Sequence, residues 1–291
     1  MNIQKGGFFK SNWAYLIWFI FYFLISSLFI FLFTQDFGIA MILTFFIYLI
    51  TITIALTDIG ESLVRSQLNL REVATSQDKA YLYPIFYEVY NSVCRVEPNI
   101  SKNIKLYIVN DFSINALALG RNTIAVTMGA IQGLGEYELR GMIAHEFGHI
   151  AHGDTKSLLL ARVGNGFFVV ILKIIEVTAR ACNWIFNLFR RFQGAWAIIW
   201  FIKIIVYLLN ITVKMFNGIS NVFLSMNSRS SEYLADSFSV RIGYGQNLIN
   251  LLYIIAQSVP DNTDGIRGTI TSSHSFTADR IARLELIVYQ Q

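Results

Sequence analysis

Two histidines and a glutamate near the middle of the chain have the types and the spacing of a metal-dependent hydrolytic site. Residues 145–149 read His145-Glu146-Phe147-Gly148-His149, which is the H-E-x-x-H pattern of zinc peptidases. On a helix, residues four positions apart share one face, so both imidazoles would reach one ion. Glu146 lies beside the first histidine and would reach a water molecule at the metal instead of the metal itself. The pattern predicts His145 and His149 as metal ligands and Glu146 as a general base.

A catalytic zinc site needs three protein ligands and one open position, so a third ligand must come from elsewhere. A longer form of the motif would supply a histidine at position 155, but Thr155 occupies it. His152 faces roughly the same way as His149, yet a histidine in the last helical turn also suits the helix dipole without binding metal. The stronger candidates are Glu232 and Asp236, four residues apart. Glu232 would bind zinc, and Asp236 would accept the second N–H of a ligating imidazole.

The motif is predicted to lie on a helix that begins after Gly135 and ends at Gly153, with an acidic first turn and a glycine stop. The apolar stripe of this helix lies opposite the histidines, so the ligand face is expected to look away from the packing face. Gly148 costs about 1 kcal/mol relative to alanine inside a helix, which indicates close approach by another segment. The other predicted elements are a helix over 76–94, broken or kinked at Pro84, and strands over 104–109 and 123–127.

The composition indicates a membrane protein. Hydrophobic residues make up 54% of the 291 residues and charged residues only 14%, against about 25% charged in soluble proteins. Segments 13–33 and 37–57 contain no Lys, Arg or Glu and are long enough to cross a bilayer as helices. The first is too long for a signal-peptide core, which favours a retained anchor. Segments 158–175 and 195–216 are apolar but contain Arg or Lys, so they would either span the membrane or lie on its surface.

Basic residues predict the orientation of these segments. Lysines precede the first segment and basic residues follow the second, so the positive-inside rule places the N-terminus and the chain after residue 57 in the cytoplasm. Arginines between the third and fourth segments conflict with this rule if both segments span. The predicted organisation is an N-terminal transmembrane hairpin (1–57), two halves of a catalytic domain (58–156 and 217–291) and two further hydrophobic helices between them (157–216).

Other functional classes find little support in the composition. The net charge of +4 fits an anionic inner leaflet, and no basic stripe with interleaved aromatic residues indicates nucleic-acid binding. Cys94 and Cys182 are isolated and lack metal-ligand spacing, so we expect free thiols.

Four strings of the sequence resemble the HtpX-like membrane zinc metallopeptidases, relatives of the CAAX prenyl endopeptidases. They are the motif at 145–149, Gly153-Asp154, the Ser-Glu-Tyr-Leu-Ala-Asp string at 231–236, and the tail from His274 to Leu284. The resemblance implies an α+β membrane protein with a gluzincin-like zinc peptidase domain, mostly helical with a small sheet, plus four hydrophobic helices.

The resemblance also implies a ligand set and a mechanism. One Zn²⁺ per subunit would be bound by His145, His149 and Glu232. Glu146 would act as the catalytic acid/base, taking a proton from water and delivering it to the leaving nitrogen. His274 would donate a hydrogen bond to the oxyanion; the alternative is a loop histidine without a role.

Further expectations from the resemblance concern substrate and place. It implies proteolysis of membrane or misfolded proteins at the cytoplasmic face of the bacterial inner membrane, by a multi-pass protein. The implied partners are protein or peptide substrates, the lipid bilayer, and membrane proteases or other quality-control proteins. Two other functions stay open: a zinc protease for prenylated or lipidated peptides, and a membrane scaffold with a vestigial zinc site. The intact Glu146 argues against the scaffold.

A substrate groove is predicted on either side of Gly120. Residues 115–120, Asn-Ala-Leu-Ala-Leu-Gly, resemble the family's Asn-Ala-Phe-Ala-x-Gly groove motif, with a leucine replacing the aromatic residue. Asn115 would bond the substrate backbone, or it would be a turn residue without a function. Residues 123–127 are predicted to form an edge strand that pairs with extended substrate, and main-chain pairing predicts broad specificity. The candidate substrate-binding residues are Asn115, Ala116, Thr123 and Ala125.

Overall fold

Two apolar helices begin the part of the chain that the structure describes. The computed structural model describes residues 13–156, 228–258 and 277–290, together with scattered positions between 159 and 211. Helix α1 (Trp13–Thr34) and helix α2 (Phe37–Ala55) leave many large hydrophobic side chains exposed. Phe37–Ala55 is long and apolar enough to cross a membrane, and Phe19–Thr34 is apolar but shorter. The predicted hydrophobic segments at 158–175 and 195–216 lie almost entirely outside the described residues.

A short turn joins the two apolar helices into a hairpin. Asp36 caps α2, since its side chain accepts a hydrogen bond from the Ile39 backbone N–H at 3.0 Å, which satisfies a donor that the first helical turn leaves free. Between the helices, the ring of Tyr48 packs edge-on against Phe23, with centroids 5.7 Å apart. Its hydroxyl lies 3.5 Å from the Ser26 hydroxyl.

A small mixed sheet follows, with the strand order β1-β2-β4-β3. Strand β2 (Lys105–Val109) pairs with β1 (Arg71–Glu72) in antiparallel and with β4 (Thr123–Thr127) in parallel orientation, and β3 (Ala116–Leu119) pairs antiparallel to β4. The prediction that 123–127 is an edge strand is wrong, because β2 and β3 occupy both of its sides. Thr123 and Ala125 are completely buried. Within the described chain, β3 is the edge strand on this side of the sheet.

Seven helices of the described chain surround or extend this sheet. The predicted helix over 76–94 forms, and it runs on through Pro84 to Val96. The motif helix also forms between the predicted glycines, and Gly153 ends it with a φ of 79°, a left-handed conformation that glycine adopts without strain. The helices after the hairpin are α3 (Asp58–Gln67), α4 (Ser76–Val96), α5 (Met128–Gly133), α6 (Glu136–His152), α7 (Ser228–Arg241), α8 (Gly245–Ser258) and α9 (Thr277–Val288).

Helix α6 is buried on both of its faces. On the predicted packing face, Phe147 contacts the rings of Phe86 and Tyr90 in α4, with centroid distances of 5.6 and 5.8 Å. The opposite face, which carries the histidines, was expected to look away from the packing. Helix α7 covers it instead, and His145 and Glu146 are buried. The chemistry of the motif therefore lies inside the molecule.

Two glycines let other helices approach α6 closely. A Cβ atom at Gly148 would lie 2.7 Å from the Cα atom of Ala235 in α7, and one at Gly141 would lie 2.5 Å from the backbone of Asn247 in α8. Real Cβ atoms do not tolerate such contacts with backbone atoms. The prediction that Gly148 marks a close approach is confirmed, and the approaching segment is the one that carries Glu232.

Candidate metal centre

The three predicted ligands converge at the interface of α6 and α7. The Nε2 atoms of His145 and His149 lie 3.2 Å apart. The Glu232 carboxylate faces both, with Oε2 at 3.3 Å from the His145 Nε2 and Oε1 at 3.5 Å from the His149 Nε2. One ligand atom from each of the three side chains can be chosen so that all lie within 4.8 Å of one another. Helical i, i+4 spacing supplies the first two ligands, and the close approach at Gly148 brings the third.

The spacing of these atoms fits a tetrahedral zinc ion. Ligand bonds of about 2.0–2.1 Å at tetrahedral angles separate neighbouring ligand atoms by about 3.3–3.4 Å. The two imidazole nitrogens lie 3.2 Å apart, and each lies 3.3–3.5 Å from a different oxygen of the Glu232 carboxylate. With one oxygen chosen, the three ligand atoms all lie within 4.8 Å of one another, so a small movement of the carboxylate would bring them to this spacing. Two imidazoles and one carboxylate are also a donor set that catalytic zinc uses in enzymes.

Each histidine has a carboxylate on its other ring nitrogen. Asp236 Oδ1 lies 3.0 Å from the His145 Nδ1, and Asp154 Oδ2 lies 3.3 Å from the His149 Nδ1. Because an ionised carboxylate only accepts hydrogen bonds, each Nδ1 carries the proton. The lone pair of each Nε2 is then directed toward the other ligands, which is the tautomer that binds metal. The predicted role of Asp236 agrees with this geometry.

Arg280, from α9, ties the two carboxylates of α7 together. Its Nε and Nη2 donate to the two oxygens of Asp236 at 2.9 and 2.7 Å, and its Nη1 lies 2.8 Å from Glu232 Oε2. The side chain is only 2% exposed. Burial lowers the pKa of Arg280, but the negative charges of Asp236 and Glu232 outweigh that effect and leave the pKa raised. The guanidinium therefore stays charged and holds both carboxylates in place.

The electrostatics of the cluster favour a cation. Three carboxylates contact the histidines and one guanidinium offsets them, which leaves two formal negative charges (−3 + 1 = −2) when the imidazoles are neutral. Burial lowers the pKa of His149, but Asp154 and Glu232 more than offset it and raise that pKa well above its usual value. The pKa of His145 is also raised, because Asp236 and Glu232 outweigh burial and Arg280. Such a site binds a divalent metal in competition with protons.

Glu146, the predicted general base, is buried on α6. Its negative charge contributes to the raised pKa of both His149 and Arg280, so its carboxylate lies within electrostatic reach of the cluster. It stands next to a ligand in sequence, in the position the motif predicts for a residue that acts on water beside the metal.

The other residues considered as ligands have different partners. The His152 Nδ1 lies 2.7 Å from the Gly148 carbonyl oxygen, and its ring packs edge-on against Phe238 at 5.9 Å. These contacts fit the interpretation that His152 is a polar group in the last helical turn. Thr155, at the position excluded as a third histidine, donates from its hydroxyl to the Gly120 carbonyl oxygen. His274 lies outside the described residues.

The candidate substrate-binding residues lie on both strands of the β3–β4 hairpin. Asn115 immediately precedes the edge strand, and its Oδ1 accepts from the Ala116 backbone N–H at 2.9 Å. Ala116 begins β3. Thr123 and Ala125 are in the interior strand β4, and the Thr123 hydroxyl lies 2.6 Å from Glu61 Oε1. The first pair therefore lies at the edge strand of the described sheet, whereas the second pair lies in its interior.

The sequence did not predict the roles of two residues in the cluster, Asp154 and Arg280. Gly153 permits the turn that places Asp154 beside His149, so a Gly-Asp pair just after the motif helix was the available signal. For Arg280 no local signal existed, because its partners lie 44 and 48 positions earlier in the chain, at Asp236 and Glu232.

Similarity to known proteins agrees with this site. A family model described as "Peptidase family M48" matches residues 87–288, which include the motif helix, α7 and α9. A protease HtpX homolog of Lactobacillus acidophilus is 31% identical over 207 residues, which cover 62% of this chain and 66% of the relative. A homolog of Bacteroides fragilis is 26% identical over 182 residues, covering 61% of this chain and 52% of the relative.

Some alignments are shorter. A protease HtpX homolog of Listeria welshimeri is 31% identical over 121 residues, which cover 40% of this chain and 37% of the relative. The chain thus spans between about two fifths and two thirds of the length of these curated relatives. Among solved structures, that of S. mikatae Ste24p is similar over 90% of this chain and 62% of that chain, with a TM-score of 0.49 and 18% identity.

Proposed function

Because the chain belongs to peptidase family M48, as the resemblance predicted, we propose that it is a membrane-bound zinc endopeptidase. The observation that carries this proposal is the convergence of His145, His149 and Glu232, whose ligand atoms all lie within 4.8 Å of one another and form a donor set that catalytic zinc uses. One zinc ion per subunit would be held by these three side chains. The carboxylates on both Nδ1 atoms add support, since they select the tautomer that such a site needs.

Several residues of the chain have separate roles in the proposed hydrolysis of the peptide bond. When bound, zinc would supply Lewis acidity toward the substrate carbonyl and would lower the pKa of a nearby water. The Glu146 carboxylate takes a proton from the attacking water and delivers it to the leaving nitrogen, which is a poor leaving group while unprotonated. Asp236 and Asp154 keep the ligand rings oriented, and Arg280 keeps Asp236 and Glu232 in place. His274 is our candidate for hydrogen bonding to the oxyanion.

The substrate is proposed to pair with strand β3. Ala116–Leu119 is the edge strand of the described sheet on the side away from β2, and an extended substrate would pair with its outer side. Helix α6 packs against this strand, which brings the edge and the metal centre together. Asn115 and Ala116 stand at the start of the edge. Recognition through main-chain hydrogen bonds supports broad specificity for unfolded or misfolded proteins.

The membrane location is proposed from the hairpin. Helices α1 and α2 expose large apolar side chains along their length, and basic residues flank the hairpin on the side of the catalytic half. We therefore propose a multi-pass protein of the bacterial inner membrane, with residues 157–216 adding further hydrophobic helices and the metal centre at the cytoplasmic face. Its role there would be quality control of membrane or misfolded proteins, in contact with membrane proteases or other quality-control proteins.

The test compares purified full-length wild type with Glu146→Gln on casein as an unfolded substrate. We expect wild type to cleave with one zinc bound, and the variant to keep its zinc while cleaving about 10²–10⁴-fold more slowly, the usual contribution of a general acid/base. Glu72→Gln, which changes an exposed glutamate of β1, is the matched control and should cleave like wild type. Equal rates for Glu146→Gln and wild type would show that the mechanism is wrong. A zinc-loaded wild type that cleaves nothing would favour a scaffold.

A further inference from the structure

Helix α3, directly after the apolar hairpin, has two faces with different surroundings. On the inner face, Glu61 and Val64 are buried. On the outer face, Ile59 is 65% and Leu63 is 50% exposed, and Leu56 just before the helix is also 50% exposed. Ile59 and Leu63 are four positions apart and share one face of the helix; together with Leu56, which precedes the helix, they are called the outer stripe. Their exposure continues that of the apolar hairpin.

The inner face holds the turn between β3 and β4. The Glu61 carboxylate accepts hydrogen bonds from the backbone N–H groups of Arg121 and Asn122 at 3.2 and 3.1 Å, and the Thr123 hydroxyl lies 2.6 Å away. Arg65, one helical turn later, lies 3.4 Å from the same carboxylate. Gly120 in the turn has a φ of 60°, and a Cβ atom there would overlap the Glu61 carboxylate. The turn is thus shaped around this side chain.

Two other contacts hold β3 and the turn that follows it. Val64 packs with Leu119 of β3 and with Leu159 in a small buried apolar cluster, with Leu117 at its margin. On the other side of the turn, the Thr155 hydroxyl donates to the Gly120 carbonyl oxygen. The edge strand is therefore held by α3 on one side and by the chain just after the metal-binding helix on the other.

The same helix is joined tightly to the end of α2. Thr57 is in an extended conformation, so the chain changes direction between α2 and α3. A Cβ atom at Gly60 would lie 2.6 Å from the Cα atom of Ala55, so only glycine permits this corner. A small cavity at the corner is lined by two basic residues, Arg121 and Lys156, and by the acidic Asp58 and Glu61. The end of α2 and strand β3 are therefore held in a fixed arrangement by α3.

We infer that α3 lies in the interface of the membrane, with the outer stripe in the headgroup–acyl boundary, and that Glu61 thereby fixes strand β3 at a set height above the bilayer. The occupant of the stripe is the lipid bilayer, because the stripe continues the apolar surface of α2 and because interfacial helices combine one apolar face with one polar face. Arg121 and Lys156 at the corner suit anionic headgroups. The inference rests on the proposed membrane location and on the proposed role of β3.

The outer face is tested by fluorescence quenching in the full-length protein. Cys94 and Cys182 are replaced by alanine, and a single cysteine at Leu63→Cys carries an environment-sensitive dye. Reconstitution uses vesicles of phosphatidylethanolamine and phosphatidylglycerol that contain lipids with a nitroxide near the headgroup. Ile50→Cys in α2 is the control for a membrane position, and Lys79→Cys in α4, an exposed charged residue, is the control for water.

We expect quenching at positions 63 and 50 and none at 79. Quenching at 50 with no more at 63 than at 79 overturns the inference while the membrane location stands. If no position is quenched, the membrane location in the proposed function fails and the inference fails with it. The measurement needs neither zinc nor activity, so it does not depend on the peptidase assignment.

The inner face is tested by Glu61→Gln, which keeps the shape but leaves one amide oxygen for two backbone donors. We expect faster deuterium uptake over residues 116–123 than in wild type, unchanged uptake over α6, and unchanged zinc content. KM for a membrane-anchored substrate should rise several-fold while kcat stays within about twofold, as a positioning role requires. Glu72→Gln is the control. Wild-type uptake over 116–123 or a wild-type KM in Glu61→Gln would overturn the role of Glu61.

Discussion

Glu232 in α7 and Glu61 in α3 are both nearly excluded from solvent, with exposures of 4% and 3%, and each has a charged residue four positions further along its helix. Their surroundings differ in kind. Glu61 meets donors, namely two backbone N–H groups, the Thr123 hydroxyl and a guanidinium. Glu232 meets one guanidinium and the Nε2 atoms of two imidazoles. These nitrogens accept hydrogen bonds when the rings are neutral and donate them when the rings are protonated, which their raised pKa values favour in the absence of a metal.

The difference separates a structural carboxylate from a candidate metal ligand. A buried carboxylate that is surrounded by donors has its charge compensated within the protein. The two oxygens of Glu232 lie 3.3 and 3.5 Å from imidazole nitrogens that are themselves 3.2 Å apart. This carboxylate is compensated fully only when a cation lies there, either a metal ion or the protons of the imidazoles. Burial and helical spacing alone do not tell these cases apart. The nature of the neighbouring atoms does.

The largest contrast is expected from removing each carboxylate. Glu232→Ala should lose stoichiometric zinc and all detectable cleavage, because two imidazoles do not complete the site. Its fold should survive, since Arg280 keeps both bonds to Asp236. Glu61→Ala should keep one zinc per subunit but lose about 2–4 kcal/mol of stability, because buried donors lose their acceptor. Metal analysis and thermal unfolding of the two purified variants measure both quantities.

Similar behaviour of Glu232→Ala and Glu61→Ala would contradict the distinction between a candidate ligand and a structural carboxylate. Full zinc in Glu232→Ala would mean that another residue is the third ligand. Loss of zinc in Glu61→Ala with an unchanged melting temperature would mean that Glu61 acts on the metal centre and not on the turn.

The next largest effects are expected at two glycines, Gly148 beside the helix that carries Glu232 and Gly120 beside Glu61. Gly148→Ala would place a Cβ atom 2.7 Å from the Ala235 Cα atom, and overpacking of this kind costs about 1–3 kcal/mol. Because Ala235 lies three residues after Glu232, displacement of α7 should also lower zinc affinity by about tenfold. Gly120→Ala should destabilise by a similar amount, through its positive φ and its contact with Glu61, and leave zinc affinity unchanged.

Gly133→Ala is the matched control for both glycine variants. A Cβ atom there would lie 3.5 Å from the Ile114 side chain, an ordinary contact, so neither stability nor zinc affinity should fall. Wild-type zinc affinity in Gly148→Ala, measured by competition with a chelating dye, would show that helix approach at this point does not set the ligand geometry.

Local spacing was enough to predict how one half of the candidate metal centre is arranged. The i, i+4 histidines, the helix limits at Gly135 and Gly153, and the close approach at Gly148 all depend on residues within one helix. The E-x-x-x-D spacing of Glu232 and Asp236 also follows from one helix. Two arguments predicted that Glu232 lies beside the two histidines: zinc needs a third protein ligand, and the sequence resembles a family in which a glutamate provides it. In the structure these three side chains lie together.

Long-range pairing could not be predicted in the same way. The β-rich composition of β4 predicts a strand, but whether that strand lies at an edge depends on which strands flank it, and sequence composition does not encode that order. Glu61 reads as an ordinary member of an amphipathic helix, since its partners at Arg121 and Asn122 are backbone groups 60 positions away. The bidentate contact of Arg280 with Asp236 depends likewise on how α9 packs on α7.

The two carboxylates behind the histidines should differ from each other in their effect on zinc affinity. Replacing a carboxylate that orients a ligand typically weakens metal binding by 10–100-fold. Asp236 lies 3.0 Å from its histidine, is 3% exposed and is clamped by Arg280, whereas Asp154 lies 3.3 Å from its histidine and is 14% exposed. Asp236→Asn should therefore lower zinc affinity by about 100-fold and Asp154→Asn by about tenfold or less. Titration of both metal-free variants with zinc against a chelating dye gives the ratio. A larger loss in Asp154→Asn would mean that His149, and not His145, is the ligand whose orientation limits the site, and that the clamp on Asp236 serves the packing of α9 on α7 more than the metal.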